Sequence, residues 1–301
     1  MALPLAFTWT EFAQQVTSGL AAGSIYASLA LALVLIYQTT NVVNFAQGEM
    51  ATFTTYVAWT MMHHGLSYWP AFALTLLIAF GGGVTVERVL IRPVEHRPEI
   101  VIVILTIGLF IAINGLVGWI FGPEVKAFDS PFPNTSIVVG GVSTSVQDIG
   151  TFGVCLGTVV VLWLFFRLTT LGLAMRAVAF NPDASRLMGV RVGWMLALGW
   201  GFAAVLGAIA GMMAAPTVFL DPDMMLVILI YAFAAAVLAG IDSPVGAVVG
   251  GLLIGVVLNV LGAYVNFVGQ ELRLPTALAV LLLVLVIRPS GLFGRVVVRR
   301  V

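Results

Sequence analysis

The residues most able to do chemistry in this chain stand together near its start. The stretch NVVNFAQGEMATF, Asn41 to Phe53, sets two asparagines, a glutamine and a glutamate into apolar surroundings. Amide side chains both donate and accept hydrogen bonds, and a carboxylate accepts them or carries charge. Asn41, Asn44, Gln47 and Glu49 could therefore line a route for a polar solute, or stabilise the start of a helix. Signs of enzyme chemistry are missing elsewhere. The only lysine, Lys126, has no glycine loop before it, so a Walker A phosphate site is excluded. Neither HExxH nor GxSxG occurs. The histidines are His63, His64 and His96, the first two beside Gly65 at the end of an apolar run, where interfacial packing accounts for them. The single thiol, Cys155, can form neither an internal disulfide nor a cysteine metal cage. No catalytic residues, metal ligands or bound cofactor are expected.

The elements that must position these groups are membrane helices. Of 301 residues, 61% are hydrophobic and 9% charged, against about a quarter charged in a soluble domain. Net charge is zero, so no basic footprint points to nucleic acid, and the natural solvent is a lipid bilayer. Apolar runs at 16–37, 45–62, 69–86, 100–121, 151–166, 194–215, 224–239, 245–267 and 276–287 predict eight or nine spans in an all-α polytopic fold, read as one domain over 1–301. Arg88, Arg92 and Arg97 share one loop; Arg167, Arg176, Arg186 and Arg191 share another; Arg288, Arg295, Arg299 and Arg300 close the chain. The positive-inside rule places all three in the cytoplasm and, by parity, the N-terminus outside. The MALPLAFTWTEF start has no positive n-region, so no secretory signal is read. Almost every charge lies at a span end or in a loop. Glu49 is the main exception, and Glu87 is followed at once by Arg88. That distribution disfavours an ion-coupled carrier, which buries its ionisable groups.

Two connections are built with care. Within the cytoplasmic loop at about 169–193, Asn181 is a good N-cap, Pro182 suits the first helical position and Asp183 favours the N-terminal dipole. Ala184, Arg186 and Met188 continue the helix and Gly189 ends it. A short rigid helix there is either a handle for a partner protein or an ordinary structured loop. In IDSPVGAVVGGLLIG, Asp242 or Ser243 caps a helix with Pro244 in its first turn. The spacing of Gly246 and Gly250, and of Gly251 and Gly255, allows close helix approach in lipid. At the opening stretch, Asn44 caps a helix beginning at Phe45, with Gln47 three residues on as in a capping box, and Glu49 near the positive helix end. That start lies either at the cytoplasmic interface or part-way into the membrane as a discontinuous or re-entrant helix near 41–49.

The sequence resembles the permease subunit of branched-chain amino acid ABC importers, the LivH-like family. The resemblance rests on GLAAGSIYASLALALVLIYQTTNVVNFAQGEMA, VERVLIRPVEHRPEIVIVILTIGL, GLAMRAVAFNPDASRLMGVRVG, GIDSPVGAVVGGLLIG and RPSGLFG, spread over most of the chain. It implies a multi-pass inner-membrane importer subunit forming half of a pore. The other half would be a second, homologous permease; two cytoplasmic ATPase subunits would use the ATP, and a periplasmic substrate-binding protein would deliver the cargo. Residues 181–189 would be the coupling helix. Leucine, isoleucine and valine are the usual cargo, with other amino acids, urea or short amides in relatives. A self-sufficient ion-coupled carrier is the reading from a different class. Whether the pore is a homodimer or a heterodimer is left open by the sequence.

Overall fold

A computed structural model describes residues 8–265, 272–288 and 291–293. It is helical throughout, apart from one small hairpin. The helices are α1 (Trp9–Thr40), α2 (Gln47–His63), α3 (Tyr68–Val86), α4 (Glu99–Phe121), α5 (Val146–Leu168), α6 (Thr170–Phe180), α7 (Pro182–Leu187), α8 (Val192–Val218), α9 (Met224–Ala239), α10 (Pro244–Tyr264) and α11 (Arg273–Ile287). A π turn at Glu87–Ile91 and a 3-10 turn at Arg92–Val94 extend α3. Among the described residues each apolar run read from the sequence coincides with a helix, apart from a few residues at its ends. Among the described residues, six helices are long and apolar enough to cross a membrane: α1, α3 with its extension, α4, α5, α8 and α10. The remaining runs form α2, α9 and α11, of 17, 16 and 15 residues, short of the roughly 20 that a full crossing needs. The end of the 245–267 run, and Arg295, Arg299 and Arg300, lie outside the described residues.

The hairpin was not legible as structure in the sequence, where 122–150 reads as solvated loop. It pairs β1 (Ser136–Val139) with β2 (Val142–Ser145) across Gly140 and Gly141. Both glycines have positive φ, which a tight two-residue hairpin turn requires.

Small residues form the interior. Helices α1 and α8 are buried along most of their length, through Gly19, Gly23, Ala27, Ala30, Gly207, Ala208 and Gly211 among others. Helices α4 and α5, rich in isoleucine, valine, leucine and phenylalanine, expose most of theirs. Lipid tails are as apolar as leucine, so association follows close backbone contact, and small side chains belong inside. The paired glycines of α10 work in this way on two faces. A Cβ on Gly251 would strike the backbone of Ala27 and one on Gly255 the backbone of Gly23, both in α1. From the other side, a Cβ on Gly23 would lie 2.9 Å from the Gly251 oxygen, and one on Gly19 2.8 Å from Val256 Cα. Gly250 faces α9, where its Cβ would meet the Ala235 carbonyl; Gly246 lies over its own cap, 3.0 Å from Ser243. Ser243, rather than Asp242, is that cap: its hydroxyl accepts from the Gly246 N–H at 3.0 Å.

The first two basic segments meet at one end of the bundle. Arg186 lies 3.8 Å from Glu95, and the Arg88 guanidinium lies 3.9 Å from the Trp194 ring centroid. At the other end, Lys126 pairs with Leu220 through both backbone bonds, and Trp59 at the close of α2 donates to the Ala127 carbonyl at 3.1 Å. His63 stacks on Trp59 with ring centroids 4.9 Å apart, consistent with a packing role. Cys155 is fully buried.

Candidate functional site

Helix α1 ends at Thr40, and Asn41 caps it in the left-handed conformation with its N–H on the Tyr37 carbonyl. Asparagine tolerates that conformation better than most residues. Asn41 is exposed, so it is set apart from the other three polar residues of the stretch. Beyond it the chain turns inward. Asn44, Gln47 and Glu49 have no accessible surface.

The helix starts later than the sequence suggests. Its first residue is Gln47, not Phe45, and its N-cap position, Ala46, makes no side-chain cap. The reason is local. Asn44 Oδ1 accepts from the Ala46 N–H at 3.0 Å, an Asx turn that ties up the oxygen expected to cap the helix. Gln47 does not reach back as a capping box requires. Its Nε2 donates to the Ala203 carbonyl of α8 at 2.8 Å, while its Oε1 accepts from Asn44 Nδ2 at 3.2 Å. Gly207 makes room for this, since a Cβ there would lie 2.7 Å from Gln47 Nε2.

This contact fixes the depth of the break. Ala203 lies about three turns, roughly 17 Å, from the start of α8. The start of α2 is therefore inside the bundle, far from the Arg88–Trp194 end. Irregular backbone at such depth survives where protein surrounds it and satisfies its polar groups. From there α2 runs outward beside α8. Its face toward α9 carries Gly48, whose Cβ would sit 3.3 Å from Leu229.

Glu49 brings in two residues that the sequence reading missed. Its Oε2 accepts from Asn114 Nδ2 of α4 at 3.4 Å, and the same amide nitrogen donates to Asp223 Oδ1 at 2.9 Å and to the Pro222 carbonyl at 3.4 Å. Glu49 Oε1 is buried without a hydrogen-bond partner among the described residues. Asn114 is the only amide side chain in α4, a signal available in the sequence. Asp223 reads there as part of an outer acidic loop, and nothing in its spacing links it to Glu49. Glu87, the other ionisable exception, is buried at the end of α3 with Arg88 at 3.7 Å. A cavity of about 580 Å³ opens elsewhere, between α1, α5, α6 and α10; Arg167 and Arg176 line it, and none of Asn44, Gln47 and Glu49 does.

The second candidate region is built as its sequence indicates. Asn181 Oδ1 accepts from the Ala184 N–H at 2.9 Å, Pro182 is the first helical residue, Asp183 pairs with Arg186 at 3.3 Å, and Gly189 turns at φ 81°. The helix is one residue shorter than expected, since Met188 is its C-cap. Ser185 alone of α7 is buried. Around it, Phe180, Leu187 and Met188 are 88%, 89% and 84% exposed. Phe180 and Leu187 were not singled out in the sequence, because exposure depends on the packing of α6 against α5 and α8.

Residues 15–288 match the family described as branched-chain amino acid transport system / permease component. The chain belongs to this permease family. The permease is 31% identical to the high-affinity branched-chain amino acid transport system permease protein BraD of Pseudomonas aeruginosa, covering 97% of this chain and 98% of the relative. It is 30% identical to LivH of Escherichia coli K12, covering 96% and 98%. A probable branched-chain amino acid transport permease of Methanocaldococcus jannaschii is 30% identical over 76% of this chain and 74% of its own. Among solved structures, PsaBC from Streptococcus pneumoniae in complex with Fab is similar at TM-score 0.49 and 14% identity, covering 92% of each chain. As a permease component the protein is a multi-pass membrane transport subunit and not an enzyme.

Proposed function

We propose that this permease forms half of the translocation pore of an ABC importer for branched-chain amino acids in a bacterial inner membrane. A second homologous permease completes the pore, two cytoplasmic ATPase subunits drive it, and a periplasmic binding protein delivers the cargo. The observation that carries the reading is the family match across nearly the whole chain, to relatives named for this transport. Two features of the molecule support it. The buried polar start of α2 supplies a few hydrogen-bonding groups among apolar walls, as a route for a zwitterion with an aliphatic side chain requires. The meeting of the first two basic segments at one end supports assigning that end to the cytoplasm; the reading takes the N-terminus outside, the C-terminus inside and eight or nine crossings, with α2 entering as a discontinuous helix.

The test is reconstitution. With its partner subunits and ATP, the importer should accumulate leucine, and the isolated permease should show no uptake driven by a proton or sodium gradient. Gradient-driven uptake by the isolated chain would refute the reading.

On the cytoplasmic end, α7 is the coupling element, contacting an ATPase through Asp183, Arg186 and Met188 with Phe180 and Leu187 beside them. In a Cys155→Ala background, cysteines introduced as Asp183→Cys and Met188→Cys should crosslink to an ATPase subunit in the assembled importer. Reaction of these cysteines with a membrane-impermeant reagent from the periplasmic side would sink both the orientation and the coupling role.

A further inference from the structure

Beside the start of α2, one pair of carboxylates is arranged around a single amide. Glu49 stands in the first turn of α2, and Asp223 at the N-cap position of α9. Asn114 Nδ2 contacts both. Acidic residues at helix starts often serve to satisfy their own helix ends, but neither does so here. Ala46 and Asp223, the two N-cap residues, make no side-chain cap, and both carboxylates turn to α4 instead. Neither is ion-paired with Lys, Arg or His among the described residues. Among the described residues Glu49 Oε1 lies fully buried without a hydrogen-bond partner.

An aromatic pair stands next along the same two helices. Tyr56 is seven residues beyond Glu49 on α2, and Phe121 seven beyond Asn114 on α4; their rings stack with centroids 4.6 Å apart. A seven-residue step returns to the same helix face two turns on. The polar pair and the aromatic pair therefore belong to one seam between parallel helices. The Tyr56 hydroxyl is also buried without a partner among the described residues. Two carboxylates without a matching cation favour a positive group, and the aromatic pair two turns further along gives an apolar surface for an aliphatic body.

We propose that Glu49, Asn114 and Asp223 form a transient site for the α-ammonium group of the transported amino acid, with Tyr56 and Phe121 against its aliphatic side chain. This rests on the amino-acid importer reading and assigns the charged end of the substrate to α2, α4 and α9. Each of the two helices carries a protein carboxylate in its first turn or at its N-cap position, so a substrate carboxylate would meet like charge there. The ammonium end is thus the one this seam receives.

The intact importer, with a Cys155→Ala background and an Asn114→Cys probe, tests it by charge-selective modification. A cationic methanethiosulfonate should react at least about tenfold faster than an anionic one of similar size, as loss of a charge-assisted contact costs about that factor or more. Adding Glu49→Gln should remove most of the preference. In the importer without the probe, Glu49→Gln and Asp223→Asn should each lower leucine uptake about tenfold or more with normal assembly, and Glu49→Asp should restore part of it. Leucine should protect the probe, while 4-methylpentanoate, the same skeleton without the amine, should not. Equal rates for the two reagents, or a preference that survives Glu49→Gln, would overturn the proposal. Protection by sodium ions rather than leucine would do the same, assigning the seam to a metal cation. If the unmodified importer moves no branched-chain amino acid, the parent reading fails; if it does and Glu49→Gln moves it equally well, only the ammonium site fails.

Discussion

Gln47→Ala is expected to destabilise the permease and to reduce transport together. The Gln47 amide ties the start of α2 to the Ala203 carbonyl of α8, and it also accepts from Asn44. Its removal leaves the Asn44 amide short of an acceptor at a site with no accessible surface. An unsatisfied buried group costs about 1–3 kcal/mol, and the space left by the side chain adds to that. Gln47→Glu should be worse, because it sets a carboxylate oxygen against the Ala203 carbonyl where a donor stood. The decisive measurement is a double-mutant cycle with Asn44→Leu, read by thermal unfolding in detergent. Since the two amides satisfy each other, Asn44→Leu combined with Gln47→Met should cost less than the sum of the separate changes. Strict additivity would show that the pairing does not hold α2 in place. Glu49 should behave differently. Its contacts to Asn114 are long and one of its oxygens is unpartnered, so its alanine variant should lower transport more than stability.

The largest structural effect is expected at the crossing of α1 and α10. Gly255→Leu places a branched side chain where even a Cβ would strike the backbone of Gly19 and Gly23. Overpacked cores lose about 1–3 kcal/mol when neighbouring side chains can move aside. Backbone in the middle of a long buried helix has no such freedom, so the loss here should exceed that range. The variant should yield little monodisperse protein, and Gly23→Leu should match it from the opposite helix. Gly108→Leu is the control: a Cβ there, in exposed α4, would have nothing beyond its own helix within 4 Å among the described residues, and the variant should purify as well as the parent. Equal yields from Gly255→Leu and Gly108→Leu would refute the close crossing.

Several features follow from local sequence because their physics is local. The caps at Asn181 and Ser243 need only a side chain oxygen within three residues of a free N–H, and both form as read. The helical runs need only about 20 apolar residues, which no tertiary contact has to supply. Asn44 shows where local reasoning stops. A capping box and an Asx turn use the same oxygen, and the choice between them follows the contact of Gln47 with Ala203, 156 residues further along the chain. With its Nε2 on the Ala203 carbonyl and its Oε1 taken by the Asn44 amide, Gln47 does not fold back to accept from the Asn44 N–H.

By itself the sequence determined that the chain is a helical membrane protein without enzyme chemistry, where its apolar runs lie, which turns carry caps, and to which permease family it is similar. These rest on composition, on short-range hydrogen bonding and on extended motifs. Only the tertiary structure decided that α2 begins about three turns deep beside α8, that the glycines of α10 serve two different helices, and that Glu49 shares one amide with Asp223. Each of these depends on residues more than a hundred positions apart. Their meeting is set by how small side chains let α1, α8, α9 and α10 approach, and linear spacing carries no record of that geometry.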